Sequence, residues 1–297
     1  MPYRFAALIT TIVFSGCLAA SAQKAAQKQQ WVTLFNGKDL TGWDIKIAGH
    51  KLNENYKNTF WVQDGMLRIA YDEYQTFDDK YGHLYFNKPF SWYILKFTYR
   101  FNGEQTPGGA SWNVRNSGVM IHSQSAESLS IGQDFPVSVE VQLLGGLGKG
   151  ARTTGNICTP GTQVHINNSL SEQHCVNSTS ATYDGDQWVN MTVVVLGDSI
   201  VHHIVEKDTV LTYTKTEVGG GFVSKDYDFK RARIDDIDYW LSRQNTPLKS
   251  GYIALQAESH PIDFKNIEIL DLEGCMDKKA KNYKAYYLKA DNSKCKW

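Results

Sequence analysis

Apolar and polar residues alternate with a period of two in one short run after another, while the 3.6-residue period of a helix is scarce. In the run from Phe135 to Gly146, Phe135, Val137, Val139, Val141 and Leu143 share one side, and Ser138, Glu140 and Gln142 share the other. The stretch Trp92–Phe101 sets Tyr93, Leu95, Phe97, Tyr99 and Phe101 against Lys96, Thr98 and Arg100. Gly118, Met120, His122 and Gln124 alternate with Val119, Ile121 and Ser123, and Tyr252, Gln256 and Glu258 face away from Ile253, Leu255 and Ala257. Further strand candidates are residues 59–62, 66–70, 82–86, 188–196, 200–205, 210–213 and 262–270. Turn residues separate them, including Gln63-Asp64-Gly65, Asn87-Lys88-Pro89 and Leu196-Gly197-Asp198. Many short strands so spaced predict an all-β chain folded as an antiparallel β-sandwich, or jelly roll.

The ends of the chain differ from this middle. Arg4 precedes an apolar stretch, and Ala20-Ser21-Ala22 closes it as a secretory cleavage site would, so residues 1–22 read as a signal peptide. Phe14-Ser15-Gly16-Cys17 offers a second reading, a lipoprotein box whose Cys17 carries a lipid anchor. The stretch is too short to span a bilayer and no later segment is transmembrane. Residues 23–30 form a polar linker, residues 31–272 the sandwich domain, and residues 273–297 a Lys-, Asn- and Tyr-rich tail bracketed by Cys275 and Cys295. With Cys17 set aside, four cysteines remain, an even count that suits disulfides in an exported chain. Of the three connectivities, Cys158–Cys175 with Cys275–Cys295 closes two short loops. The second pair would staple the tail as an appendage. The long connection from Gly145 to Asp186 reads as a functional loop shaped by the first pair. With 31 basic and 31 acidic residues and no basic tract, the chain lacks the charge signature of a nucleic-acid binder.

The polar strand faces carry the chemistry. Arg100, His122, Glu140, Gln142, Gln256 and Glu258 stand on such faces, and whether they converge depends on strand order. A carboxylate beside amides and aromatics suits a surface that binds or cleaves sugars. The bland alternative is a wetted antiparallel face. Glu140 with Gln142 offers one acid where a laminarinase-type strand carries three, which speaks against an ordinary glycosidase pair.

Several segments resemble one known family. Trp31-Val-Thr-Leu-Phe-Asn-Gly-Lys-Asp-Leu-Thr-Gly-Trp43 is similar to the opening motif of the 3-keto-disaccharide hydrolases. Trp61-Val-Gln-Asp-Gly-Met-Leu67, Asn116-Ser-Gly-Val119, Val139-Glu-Val-Gln142 and Gly251-Tyr-Ile-Ala-Leu-Gln256 continue that pattern in order. The chain departs from it at Gln256-Ala-Glu-Ser-His260, where relatives commonly read Gln-Asp-His-Gly. The resemblance implies a concanavalin/laminarinase-like jelly roll acting on glycosides already oxidised to a ketone at sugar carbon 3. Such a ketone acidifies the carbon-2 proton, so a base starts an elimination that expels the aglycone, and hydration follows. The residues expected to serve are Glu140 as base, with His122 and Glu258 beside it and Arg100 stabilising the enolate. Asn116, Gln142, Gln256 and His260 would bind the sugar, and Trp112 would stack on it. Glu140, His122 and Glu258 are also a candidate ligand set for a divalent metal ion. The expected partner is an oligosaccharide or glycoside, and the expected location is the periplasm or outer membrane. A lectin-like module that binds glycans without cleaving them is the competing function.

Overall fold

The structure, a computed structural model, describes residues 28–219, 229 and 232–297. The expected signal segment, Cys17 and the expected linker up to residue 27 lie outside the described residues. In chain order the strands are β1 (Val32–Thr33), β2 (Trp43–Ile47), β3 (Phe60–Gln63), β4 (Met66–Ile69), β5 (Gly82–Phe90), β6 (Trp92–Phe101) and β7 (Asn116–Ser123). There follow β8 (Val139–Leu144), β9 (Asn156–Cys158), β10 (Thr162–Ile166), β11 (Ser169–Leu170), β12 (Cys175–Val176), β13 (Val189–Leu196), β14 (Ile200–Val205) and β15 (Asp208–Val218). The short helix α1 (Ile237–Ser242) precedes β16 (Gly251–Ala257), β17 (Ile262–Asp271), β18 (Glu273–Gly274) and β19 (Lys289–Ala290).

Two antiparallel sheets face each other. One runs β11-β10-β15-β14-β13-β6-β17-β4-β3, with β1 added to β17; the other runs β12-β9-β8-β7-β16-β5-β2. The inward residues of the alternating runs fill the space between them. Tyr93, Leu95, Phe97 and Tyr99 of the first sheet meet Val119, Ile121, Val139, Val141, Ile253 and Leu255 of the second, all almost fully buried. Burying such side chains stabilises the fold by roughly 1.5–3 kcal/mol each, so register is fixed by the cost of turning this set to water. Asp64 and Gly65, both at positive φ (52° and 73°), form the two-residue connection between β3 and β4.

The disulfides are Cys158–Cys175 and Cys275–Cys295. The second staples the appendage, whose β18 and β19 pair in parallel. Two bridges mark a chain that folds in an oxidising compartment. Among the described residues no helix is long and apolar enough to cross a membrane.

Three expectations change. Residues 145–186 are not a structureless loop: β9 and β12 extend one sheet and β10 and β11 extend the other. Asn87-Lys88-Pro89 is not a turn but part of β5, where the register against β16 shifts between Phe90 and Phe86. A strand tolerates proline at such an irregularity because the ladder there does not need its missing N–H. Helix α1 appears where no helical period was read; its Asp236 caps it, accepting from the backbone N–H of Tyr239.

Candidate functional site

Strand order decides which polar residues meet. In the seven-stranded sheet, Met120 lies opposite Glu140 and Glu140 opposite Cys158, while Gly118 lies opposite Gln142. On the other side of β7, Ala254 faces Met120, which carries Gln256 and Glu258 along the same outer face. Glu140, Gln142, Asn116 and Glu258 thus line one cavity of about 350 Å³ together with Trp112, Phe135, Pro160, His174 and the Cys158–Cys175 bridge. The connection between β8 and β13 supplies that wall, because β9 and β12 hold the bridge beside Glu140.

Gly118 makes the arrangement possible. A Cβ at that position would stand 2.5 Å from Glu140 Oε1 and 2.7 Å from its Cγ, so the glutamate lies flat across β7 only because residue 118 has no side chain. Trp112 is 54 % exposed and lies nearly parallel to Tyr81, at 8° with 6.3 Å between ring centroids. Tyr81 packs on Phe135 and receives a hydrogen bond from Asn113 Nδ2. A half-exposed indole backed by a second ring is a stacking surface for a flat apolar ligand face.

Electrostatics single out the carboxyl pair. Burial pushes the Glu140 carboxyl up from 4.5 to about 8. Glu258 is raised well above the ordinary range, first by burial and then by Glu140, against an opposing pull from Arg152. Glu258 Oε2 is buried with no hydrogen-bond partner. Two buried carboxyls this close cannot both carry charge cheaply, so they titrate as a unit with at least one proton retained at neutral pH. One acid and one potential base in one cavity is the arrangement proton-transfer catalysis requires.

Around them sit unpaired amides. Gln256 is fully buried with neither Nε2 nor Oε1 partnered, and it lies opposite His83, whose Nε2 is likewise unpartnered. Asn116 donates to Trp112 O but its Oδ1 has no partner. Gln142 accepts from Asn156 Nδ2.

Three expected members stand elsewhere. Arg100 belongs to β6 of the other sheet, where it ion-pairs with buried Asp263 and covers Trp188, with its guanidinium carbon 4.5 Å from the ring centroid. It cannot reach an enolate held across the sandwich. His122 has φ +50° at a register shift between β7 and β16. The bulge takes its ring off the Glu140 face, and Nε2 meets Gly197 O at 3.1 Å. The ligand set Glu140, His122 and Glu258 is therefore not brought together, and among the described residues no three His, Cys, Asp or Glu side chains are placed to hold a metal ion. His260 packs on Phe101, with burial and then Arg115 lowering its imidazole to about 4. It is near the Glu258 end of the site but outside the cavity lining.

The residues missed from sequence were Gly118, Phe135, His83 and Arg152. The alternation that placed Gln256 and Glu258 extends across the ladder to His83, and Asn116-Ser-Gly118 flags a missing side chain beside Glu140. Arg152, which donates to Gly145 O at 2.6 Å, carries no such signal.

Solved structures with a related outline include a protein from Parabacteroides distasonis ATCC 8503 designated a glycosyl hydrolase. It is 19 % identical, with 82 % of this chain and 99 % of that chain covered and a TM-score of 0.46. A second structure of such a protein from the same organism matches at 19 % identity over 81 % and 93 % of the two chains, also at 0.46. A carbohydrate-binding module from Bacillus subtilis matches at 10 % identity over 78 % and 96 %, with a TM-score of 0.40. These are distant likenesses of outline; the sandwich itself rests on the strand pairings above. No curated protein matches the chain. The family model described as the 3-keto-alpha-glucoside-1,2-lyase-like domain matches residues 30–270, the whole sandwich with both carboxyls, and the chain belongs to that family.

Proposed function

We propose that this protein is an exported enzyme that cleaves 3-keto-glycosides by elimination followed by hydration, with Glu140 and Glu258 exchanging roles as base and acid. The observation that carries the reading is the pair itself: two buried carboxyls, Glu140 raised by burial and Glu258 by burial and then by Glu140, in one cavity beside a half-exposed indole.

The ionised member takes the carbon-2 proton. The electron pair delocalises into the carbon-3 carbonyl, giving an enolate, and then expels the oxygen on carbon 1. The protonated member delivers its proton to that leaving oxygen, so the aglycone departs neutral and a carbon-1 to carbon-2 double bond remains. Water then adds, hydroxyl to carbon 1 and proton to carbon 2. A general acid or base contributes about 10²–10⁴-fold when its pKa lies near the working pH. Gln142, whose side chain lines the cavity, takes the role of hydrogen-bonding the developing enolate oxygen, which Arg100 is too far away to fill. Gln142 and Asn116 bind sugar hydroxyls, and Trp112 stacks on the ring.

The disulfides and the leader-like first residues fit secretion to the periplasm or the outer-membrane surface, with or without a lipid on Cys17.

Incubation with a 3-keto-glucoside and its unoxidised parent, followed by product analysis, tests the reading. Cleavage of the keto-sugar alone, lost in both Glu140→Gln and Glu258→Gln while the fold melts normally, is the expected result. Sugar binding by the wild type without cleavage of either compound would overturn it in favour of a lectin-like module.

A further inference from the structure

The proposed reaction leaves one wall of the carboxylate cavity without a role. Sheet order puts β9 and β12 on one side of Glu140, and β7, β16 and β5 on the other. Trp112 and Phe135 both pack on Tyr81, which directly precedes β5, so they stand over that second side. Pro160, His174 and the Cys158–Cys175 bridge form the wall across from them. The floor between, built by β7, β8 and β16, carries the carboxyls and the amides.

This wall is held firmly, and most of it is apolar. Cys175 lies opposite Cys158 in the ladder, and Cys158 opposite Glu140, so the bridge is anchored one strand away from the carboxyl. His174 O accepts from Thr159 N–H at 2.9 Å and from Thr159 Oγ1 at 3.1 Å, which ties the backbone beside the bridge a second time. The surface so held is a pyrrolidine ring, two polarisable sulfurs and, exposed at the rim, the His174 imidazole. Burial on its inner side lowers that imidazole below its ordinary value, so the ring is uncharged at neutral pH. A flat apolar group lying against this wall gives up no hydrogen bond. A second sugar would bring several hydroxyls to a wall with one polar side chain, and those left unpaired would cost binding energy.

The carboxyls fix how the substrate lies. Carbons 1 and 2 must stand over Glu140 and Glu258, and a sugar ring resting on Trp112 then directs its carbon-1 substituent at the opposite wall. We propose that this wall is the aglycone subsite and that it selects aryl aglycones, with His174 a specificity-determining residue whose ring stacks on the aryl group. The assignment rests on the elimination proposed above. A wall pinned by a disulfide and two hydrogen bonds suits that task, because the aryl ring docks without first ordering a loop.

Calorimetric titration of the full chain carrying Glu140→Gln with the phenyl, methyl and glucosyl 3-keto-glucosides tests the wall. The glutamine keeps each ligand whole, and titration reads binding whether or not the wild type cleaves. The phenyl compound is expected to bind at least about tenfold more tightly than the methyl compound, and the glucosyl compound no more tightly than the methyl one. Adding His174→Ala should cut the phenyl preference about fivefold, and His174→Phe should keep it, because a flat ring remains. Four results overturn the subsite: no binding of the phenyl compound, equal binding of the phenyl and methyl compounds, tighter binding of the glucosyl compound, or a preference untouched by His174→Ala. Any of these, found while the wild type cleaves the keto-sugars, leaves the reaction standing. A wild type that cleaves none of the three while the phenyl preference and its dependence on His174 persist sinks the elimination alone and supports the aryl-binding wall.

Discussion

Replacing Glu140 by glutamine should make this protein more stable at pH 7 and no more stable at pH 4. The glutamate is 6 % exposed, and burial raises its carboxyl from 4.5 to about 8. A group that holds its proton more tightly folded than unfolded contributes stability fully present below the unfolded pKa and lost as pH rises towards the folded one. The losing window is therefore about pH 4.5 to 8. At about 1.4 kcal/mol per tenfold change, the loss by pH 7 is on the order of 3 kcal/mol. Glutamine keeps the shape and never ionises, so the variant should escape that loss. The buried histidines titrate in the opposite sense: His83, His122 and His203 are lowered to between about 3 and 4 by burial. Their contribution grows as pH rises from their folded values to about 6.5, and it would mask the carboxyl in the wild type alone. The difference between variant and wild type removes it. Urea unfolding followed by tryptophan fluorescence at half-unit steps from pH 4 to 8 gives that difference directly. A difference that stays flat across the range would refute the buried, proton-holding Glu140 and with it the acid–base pair.

Other substitutions probe neighbouring claims. Gly118→Ala should lower kcat at least tenfold, because its Cβ would stand under 3.0 Å from the Glu140 Cγ and carboxyl and displace them; unchanged kcat would mean that the flat glutamate is not the working one. Replacing Cys158 and Cys175 together by serine should cost about 3 kcal/mol and raise KM more than it lowers kcat, since the bridge walls the cavity; kinetics and urea unfolding on one preparation check both. Asp263→Ala should destabilise by about 1–3 kcal/mol, the loss of its charge-assisted hydrogen bonds, because its carboxylate joins the partly exposed Arg68 and Arg100. Arg100→Gln should leave cleavage within twofold, and a large loss would restore the enolate role that its place in the other sheet removes.

Most strands with five or more alternating residues were legible, because one face of each had to enter the core, although β2 (Trp43–Ile47) alternates as clearly and was missed. Trp92–Phe101 and Gly251–Ala257 are legible cases. What stayed hidden was short or non-local. Strands β9, β11 and β12 have two or three residues, too few for a period; β9 and β12 pair where the chain folds back beside Glu140, and β11 pairs with β10 in the other sheet. Glu140, Gln142, Asn116, Trp112 and Glu258 meet in one cavity because β8, β7 and β16 are neighbours, a fact of sheet order. Arg100 shares the polar period of those strands but sits in the other sheet, which no local pattern records. His122 obeys the period in sequence and breaks it in space, since a positive φ at a non-glycine residue carries no signature in composition.

The polar groups of this sandwich divide by how well they are satisfied. Buried His203 binds Gly155 O through one ring nitrogen and Tyr213 through the other, and both oxygens of Asp263 meet arginines. The fold can therefore complete a buried polar group, though it leaves Tyr93 Oη in the core and His165 Nδ1 on β10 without partners. On the outer face of the seven-stranded sheet it does not: His83 Nε2, Asn116 Oδ1, both polar atoms of Gln256 and Glu258 Oε2 are buried without partners. Each such group costs about 1–3 kcal/mol, a sum that the core between the sheets must offset. Asn116 and Glu258 of this set line the carboxylate cavity, where a ligand rich in hydroxyl groups is the available partner, so that binding energy recovered there becomes available to the reaction.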